Sequence, residues 1–176
     1  MRIVKNYTAN IIGAGLLLAF AYQHANGQAA KQGGSNAQQI ERGKYVVMIG
    51  GCNDCHTSAD EKGNAQTDLM FGGGFRFTGP WGDVVSPNIT RDPSGISHYD
   101  AAMFIKTIRT GRASGGVRDL NPLMPFSYFR NMTDDDLKAI FAYLQTVKPV
   151  CHHVDNSEPP VYCKVCRQKR GFGDKN

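Results

Sequence analysis

The sequence has no apolar run long enough to cross a bilayer. Its longest, Ile11 to Tyr22, is about a dozen residues against the roughly 20 that a spanning helix needs. No transmembrane span is therefore expected in the mature chain. Concentrated charge is missing too: the formal net charge is +5, and removing Arg2 and Lys5 with the leader described below leaves about +3. Lysine and arginine stay scattered until the C-terminal end, with neither a clustered basic face nor an aromatic stacking motif, which excludes nucleic acid as a partner. At 176 residues two full domains would be cramped, so one domain with its own core is expected.

What is present centres on Cys52-Asn53-Asp54-Cys55-His56. Two thiols three positions apart, followed directly by an imidazole, form the attachment sequence of a c-type haem: each cysteine adds across a vinyl group and the histidine ligates the iron. One helical turn brings both sulfurs to the same face, where they reach one porphyrin edge. A thioredoxin-like redox pair and half of a zinc site are the competing readings, and neither asks for a histidine immediately after the second cysteine.

Residues 1–29 read as a signal peptide. Arg2 and Lys5 make a positive start, Ile11 to Tyr22 the apolar run, and Ala25-Asn26-Gly27 a small-residue site, with cleavage expected near Gly27 or Ala29. Haem is joined to reduced cysteines outside the cytoplasm, so leader and motif both imply a periplasmic location. Residues 30–37 have the glycine, serine and glutamine composition of a linker.

A first helix is expected from about Ala37 to Ile49, with Ile40, Val47 and the Lys44 stem on one face. Gly43 in its middle suggests close approach by another element. From Ser58 to Pro93, glycine, proline, asparagine and aspartate recur, so irregular connection rather than regular structure is expected, with Phe71, Phe75, Phe77 and Trp81 packing on a cofactor beneath. A second helix is expected to start at Ser97, with Asp100 completing a capping box, and to stop at Gly111. A last helix begins at Thr133, benefits from Asp134 to Asp136 at its positive end, presents Leu137, Ile140, Phe141 and Leu144, and is ended by Pro149.

With His56 on one side of the iron, the other axial position decides between electron carriage and bond chemistry. Met124 is the leading candidate, braced by Pro122 and Pro125 in an extended loop before the last helix. Met132, Met103, Met48 and Met70 read first as packing residues, and His98 is the strongest rival outside methionine. Arg109, Arg112 or Trp81 would offer donors to the haem propionates.

These runs resemble the class I mono-haem c-type cytochromes, specifically those related to the cytochrome subunits of bacterial membrane-linked alcohol and aldehyde dehydrogenases. The resemblance rests on CNDCHT, FGGGFRFTGPWGDVVSPNIT, IKTIRTGR and LMPFSYFRNMTDDDLKAIFAYL, and covers about Ile40 to Val150. It implies an all-α cytochrome c fold over residues 38–150, with three or more helices around a covalently bound haem and long irregular loops. It also implies His56 as proximal ligand, Met124 as distal ligand, and first and last helices crossing at Gly43 and Tyr143. The family's activity implies electron transfer between redox proteins, with a dehydrogenase or quinol-oxidising donor and an oxidase or another cytochrome as acceptor. Only one attachment motif is present, so the relay between several haems found in dehydrogenase subunits is not expected here.

Residues 151–176 form a tail holding Cys151, His152, His153, Cys163 and Cys166. Cys163-Lys164-Val165-Cys166 is followed by Arg167, which argues against a second haem. A disulfide from Cys151 to one of the other two, or a zinc site drawn from these five residues, remain the alternatives. Competing functions are a haem enzyme or sensor with a labile distal ligand, reducing peroxide or oxidising a small molecule, and a metal or redox module using the tail. No acid/base constellation near the motif supports the enzyme.

Overall fold

The computed structural model describes residues 36–79, 82–113, 118–158, 161–162, 167 and 169–170. The leader, most of the linker, Trp81, Cys163 and Cys166 lie outside the described residues. Among the described residues no helix is long and apolar enough to cross a membrane.

Helix α1 spans Asn36–Ile49 and buries Gly43, Val46 and Val47. Its inward face is thus shifted from the one expected: Lys44 is exposed, and Gly43 takes the inner position because only a residue without a side chain fits there. Gly51, in the left-handed conformation at φ 62°, turns the chain into the short helix α2, Cys52–His56. Helix α3 spans Ala101–Thr110. Its cap is Asp100 rather than Ser97, because the Asp100 carboxylate accepts the Met103 amide at 2.7 Å and the backbone at Asp100 is extended. Gly111 at φ 68° stops it, as expected, with its amide bonded to the Thr107 carbonyl.

After α3 the two-residue strands β3, Arg112–Ala113, and β4, Arg118–Asp119, pair antiparallel, and the short helix α4 covers Phe126–Phe129. Helix α5 spans Asp134–Leu144, with the Thr133 hydroxyl accepting the Asp136 amide at 3.1 Å. It ends well before Pro149: the last turn closes through the Gln145 amide onto Phe141 and the Thr146 hydroxyl onto Tyr143.

The fold is mostly helical but not all-α. Besides β3–β4 it holds the hairpin of β1, Arg76–Gly79, and β2, Gly82–Val85, in the register Phe77 to Val84 and Gly79 to Gly82, and the pair β5, Val161–Tyr162, with β6, Lys169–Arg170. The expectation of irregular chain from Ser58 to Pro93 therefore fails over the hairpin. Val84 alternates inward there, and the cross-strand Arg76–Asp83 pair at 3.2 Å and the Thr78–Asp83 hydrogen bond at 2.7 Å hold the outer face.

Val46, Val47, Phe71, Ile108, Leu137, Ile140 and Leu144 form the core. Leu137 and Leu144 are essentially fully buried, and each contributes about 1.5–3 kcal/mol through lost water contact. Helices α3 and α5 meet through the Phe104 and Phe141 rings, 5.6 Å apart. Met48 and Met70, read from the sequence as core, are exposed at 63% and 41%.

Residues 151–158 do not form a detached tail. Asn88, itself buried, donates from Nδ2 to the Val150 carbonyl at 2.8 Å, the His152 amide donates to the Ser94 hydroxyl at 3.1 Å, and His152 Nδ1 lies 2.9 Å from the Gly72 carbonyl. These bonds bring residues 151–158 back against the body, where Asn156 and Glu158 are buried.

Candidate cofactor-binding site

A cavity of about 370 Å3 opens between α2, the 84–99 segment, α3, the Met124 loop, α5 and residues 153–158. Cys52, Cys55, His56 and Met124 all line it. The sequence separates Met124 from the attachment motif by a hairpin and a helix, and the fold closes that separation.

Helix α2 is about one turn and a half, so Cys52 and Cys55 share a face. Burial pushes the Cys52 thiol up to about 11 and also raises Cys55, with the Asp54 carboxylate adding to both. Two reduced sulfurs at these positions are what thioether attachment requires.

His56 is buried, and its Nδ1 lies 2.8 Å from the Pro87 carbonyl oxygen. A carbonyl only accepts, so Nδ1 carries the proton and Nε2 keeps its lone pair. Burial lowers the His56 pKa, which holds the ring neutral, although the Pro87 contact works in the opposite sense. A neutral imidazole whose second nitrogen is tied to a carbonyl is the arrangement of an oriented metal ligand. The motif is braced from behind as well. Thr57 donates to Asn53 at 2.6 Å and accepts the Phe71 amide at 3.0 Å, fixing Phe71 at φ 61°, a left-handed conformation that a bulky residue adopts only when anchored.

Met124 is partly buried against the core, and its backbone is fixed by a local turn in which its amide donates to the Asn121 carbonyl at 2.9 Å. His98 also lines the cavity, from the turn before α3, where its ring stacks edge-on against Tyr99. Phe77 is the described aromatic of the glycine-rich loop that reaches the cavity, whereas Phe71 is in the core, edge-on to Tyr143 at 6.3 Å.

Arg109 does not line the cavity. It donates to the Arg130 carbonyl and pairs with Asp134 at 2.6 Å, tying the end of α3 to the start of α5. Arg112 pairs with Asp119 on the surface at 3.2 Å. The arginine that does reach the cavity is Arg118, which is buried and paired with Glu158 at 3.3 Å. Sequence reasoning missed both residues. Glu158 in a polar tail looks solvated, and nothing local marks it as the partner of a residue forty positions earlier.

The residues fit a large planar apolar group with a polar edge. The greater part of the cavity wall is apolar, and its polar lining includes Arg118, Asn121, Asn156 and Glu158. The Thr107 hydroxyl is buried, its residue lines the cavity, and it has no hydrogen-bond partner among the described residues, as expected of a group that faces a ligand.

The zinc site weighed as one alternative for the C-terminal segment is not assembled among the described residues, and Cys163 and Cys166, on which both it and the disulfide alternative draw, lie outside them. Cys151 is an exposed free thiol and His152 faces Gly72, while His153 lines the cavity that holds Cys52, Cys55, His56 and Met124. Among the described residues no three histidine, cysteine or acidic side chains gather to hold a metal ion.

The cytochrome c family model matches residues 40–148. A nicotinate dehydrogenase subunit of Pseudomonas putida is 39% identical over 119 residues, which are 67% of this chain and 9% of that protein. The fructose dehydrogenase cytochrome subunit of Gluconobacter japonicus is 32% identical over 85% of this chain and 30% of its own length. A quinone-linked alcohol dehydrogenase cytochrome c subunit of Gluconobacter oxydans is 32% identical over 82% of this chain and 28% of its own length. The chain thus spans less than a third of the length of these relatives.

Proposed function

The chain belongs to the cytochrome c family, whose domain binds haem c covalently, and from that premise we propose that it is a periplasmic electron-transfer protein with one haem, attached at Cys52 and Cys55 and ligated by His56 and Met124. The observation that carries the proposal is that these four side chains line a single cavity.

The haem, when bound, supplies a one-electron couple at its iron. The protein's own contribution is to hold and tune it. His56, kept neutral and oriented by the Pro87 carbonyl, donates from Nε2. Met124 offers a thioether, which donates less charge to the ferric state than a second imidazole would and so favours the reduced form. The apolar wall from Val46, Ile108, Leu137 and Ile140 excludes water and holds the local dielectric low, which acts in the same direction. With His56 and Met124 both holding the haem iron, no site would be left open for substrate, and the role would be electron carriage.

The relatives named above are dehydrogenase subunits, and they support a redox protein as partner: a dehydrogenase or quinol-oxidising donor, and an oxidase or another cytochrome as acceptor. The test is the absorption spectrum of the purified protein, oxidised and reduced, extended into the far red for the methionine-to-ferric-iron charge-transfer band. The band should be present in the wild type, absent in Met124→Ala, and carbon monoxide should bind the ferrous variant but not the ferrous wild type. A wild type without the band that takes up carbon monoxide readily would overturn the proposal.

A further inference from the structure

Glu158, at the end of the 151–158 segment, lines the cavity and meets the loop that carries Met124. Its Oε1 lies 3.3 Å from an Arg118 guanidinium nitrogen, and its Oε2 accepts from Asn121 Nδ2 at 2.8 Å. Asn121 is at the same time the hub of the turn before Met124. Its side-chain oxygen accepts the Leu123 amide at 2.9 Å, and its carbonyl accepts the Met124 amide at 2.9 Å. Because Leu123 N–H only donates, the orientation of the Asn121 amide is settled: oxygen toward Leu123, nitrogen toward Glu158. One carboxylate thus fixes both ends of the stretch from Arg118 to Asn121, directly upstream of Met124.

The carboxylate is itself well anchored. Glu158 and Arg118 are both more than nine-tenths buried as side chains. The segment that delivers Glu158 is pinned by the bonds from Asn88 to Val150, from the Val150 amide to the Thr90 hydroxyl at 3.2 Å, and from His152 to Ser94 and Gly72. A surface ion pair would not constrain a loop in this way, but a buried pair loses heavily if its geometry is relaxed.

We propose that Glu158 is a positioning residue for the distal ligand: through Asn121 it holds the Met124 loop over the cavity, so that the segment after Val150 sets how readily the methionine leaves the iron. The proposal rests on Met124 being that ligand, and it assigns to the C-terminal segment a part in tuning the haem rather than a separate metal or redox site.

The test uses the full haem-loaded protein and reads the far-red charge-transfer band, the alkaline pH at which that band is lost, and the rate of cyanide binding to the ferric form. Five variants are compared, Glu158→Gln, Glu158→Asp, Glu158→Ala, Asn121→Ala and Met124→Ala, together with the double variant Glu158→Ala/Asn121→Ala. Glutamine keeps the acceptor for Asn121 but drops the charge and turns an amide N–H toward Arg118, a cost that should fall on overall stability and not on the Met124 readouts; aspartate keeps the charge and loses the reach. Reach is what positions Met124, so Glu158→Asp should lower the pH midpoint and speed cyanide binding about tenfold, as loss of one buried hydrogen bond implies, while Glu158→Gln should stay closer to wild type. Glu158→Ala should show the largest change, and should add little to Asn121→Ala because the two act through one contact. If Glu158→Gln shifts more than Glu158→Asp, charge and not positioning is at work and the proposal falls, whether or not the alanine variant folds. A band that depends on Met124 but ignores every Glu158 variant would also overturn it and leave the ligation intact. A wild-type band absent or indifferent to Met124→Ala would remove the ligand reading itself, and the positioning role with it.

Discussion

Gly43 of α1 presses on Ala139 and Tyr143 of α5 so closely that a methyl group on its Cα would overlap the Ala139 carbonyl and lie 2.9 Å from the Tyr143 Cβ. The two helices meet backbone to backbone at this point. Beside it, Arg42 pairs with Asp136 at 2.8 Å and orients α1 on the first turn of α5.

Gly43→Ala is therefore expected to destabilise the protein, even though alanine is the better helix former by about 1 kcal/mol. The added methyl has backbone on its path, which cannot move aside as a flexible side chain would, and overpacking of this kind costs about 1–3 kcal/mol. Guanidinium unfolding of the haem-loaded protein should show a lower midpoint with an unchanged slope. A midpoint at or above that of wild type would show that the helices separate without cost.

This contact was legible in the sequence as a glycine out of place in a helix, and the attachment motif was legible because its chemistry is local and covalent. Helix α5 could be read from Thr133, the aspartates after it and the spacing of Leu137, Ile140 and Leu144, all of which act within a few residues. What stayed hidden depends on distant partners. Asn88 with Val150, and Glu158 with Arg118 and Asn121, are polar residues whose neighbours give no sign of burial. Arg109 misled for the same reason: a cation at a helix end looks available, and its pairing with Asp134 belongs to the packing of α3 on α5. The hairpin was masked by its glycines and by strands of four residues, too short for alternation to stand out.

Asn88 carries the next expectation. Its Oδ1 accepts both the Thr90 amide, at 2.9 Å, and the Thr90 hydroxyl, at 2.8 Å, while Nδ2 donates to the Val150 carbonyl. Asn88→Ala strands buried groups on both sides, at about 1–3 kcal/mol for each one left unpaired. Loss of stability should be accompanied by faster proteolysis between residues 150 and 158, since this side chain fastens that segment. Unchanged cleavage would mean that the Ser94 and Gly72 contacts suffice.

Thr57→Val tests the brace behind the motif. The substitution keeps shape and removes the oxygen that accepts the Phe71 amide and donates to Asn53. A buried amide without a partner costs about 1–3 kcal/mol, and here it also releases Phe71 from its left-handed conformation. Thr57→Ser, which retains the oxygen, should recover most of the loss. Equal effects of the two variants would mean that the methyl group contributes as much as the hydroxyl, and the brace would not rest on the hydrogen bonds alone.

Acid should weaken the joints around α5 before it reaches the core. Hydrogen bonding to Arg109 holds the Asp134 carboxyl below its ordinary range, and hydrogen bonding to Arg42 does the same for Asp136. In the unfolded chain both return to about 3.9, so between the folded and unfolded values the unfolded state binds more protons. The stabilisation is present above about pH 4 and is lost as pH falls through the depressed folded values. Both carboxylates are exposed enough for solvent to screen them, so the effect is a modest steepening of the acid limb and not the whole of acid unfolding. Asp136→Asn and Asp134→Asn should each be less stable than wild type at about pH 6 and converge on it as pH falls through the depressed folded values, as followed by helical circular dichroism across a pH series. High salt should shrink the difference at the upper end of that series. Curves that stay parallel down to about pH 2 would place the acid sensitivity elsewhere.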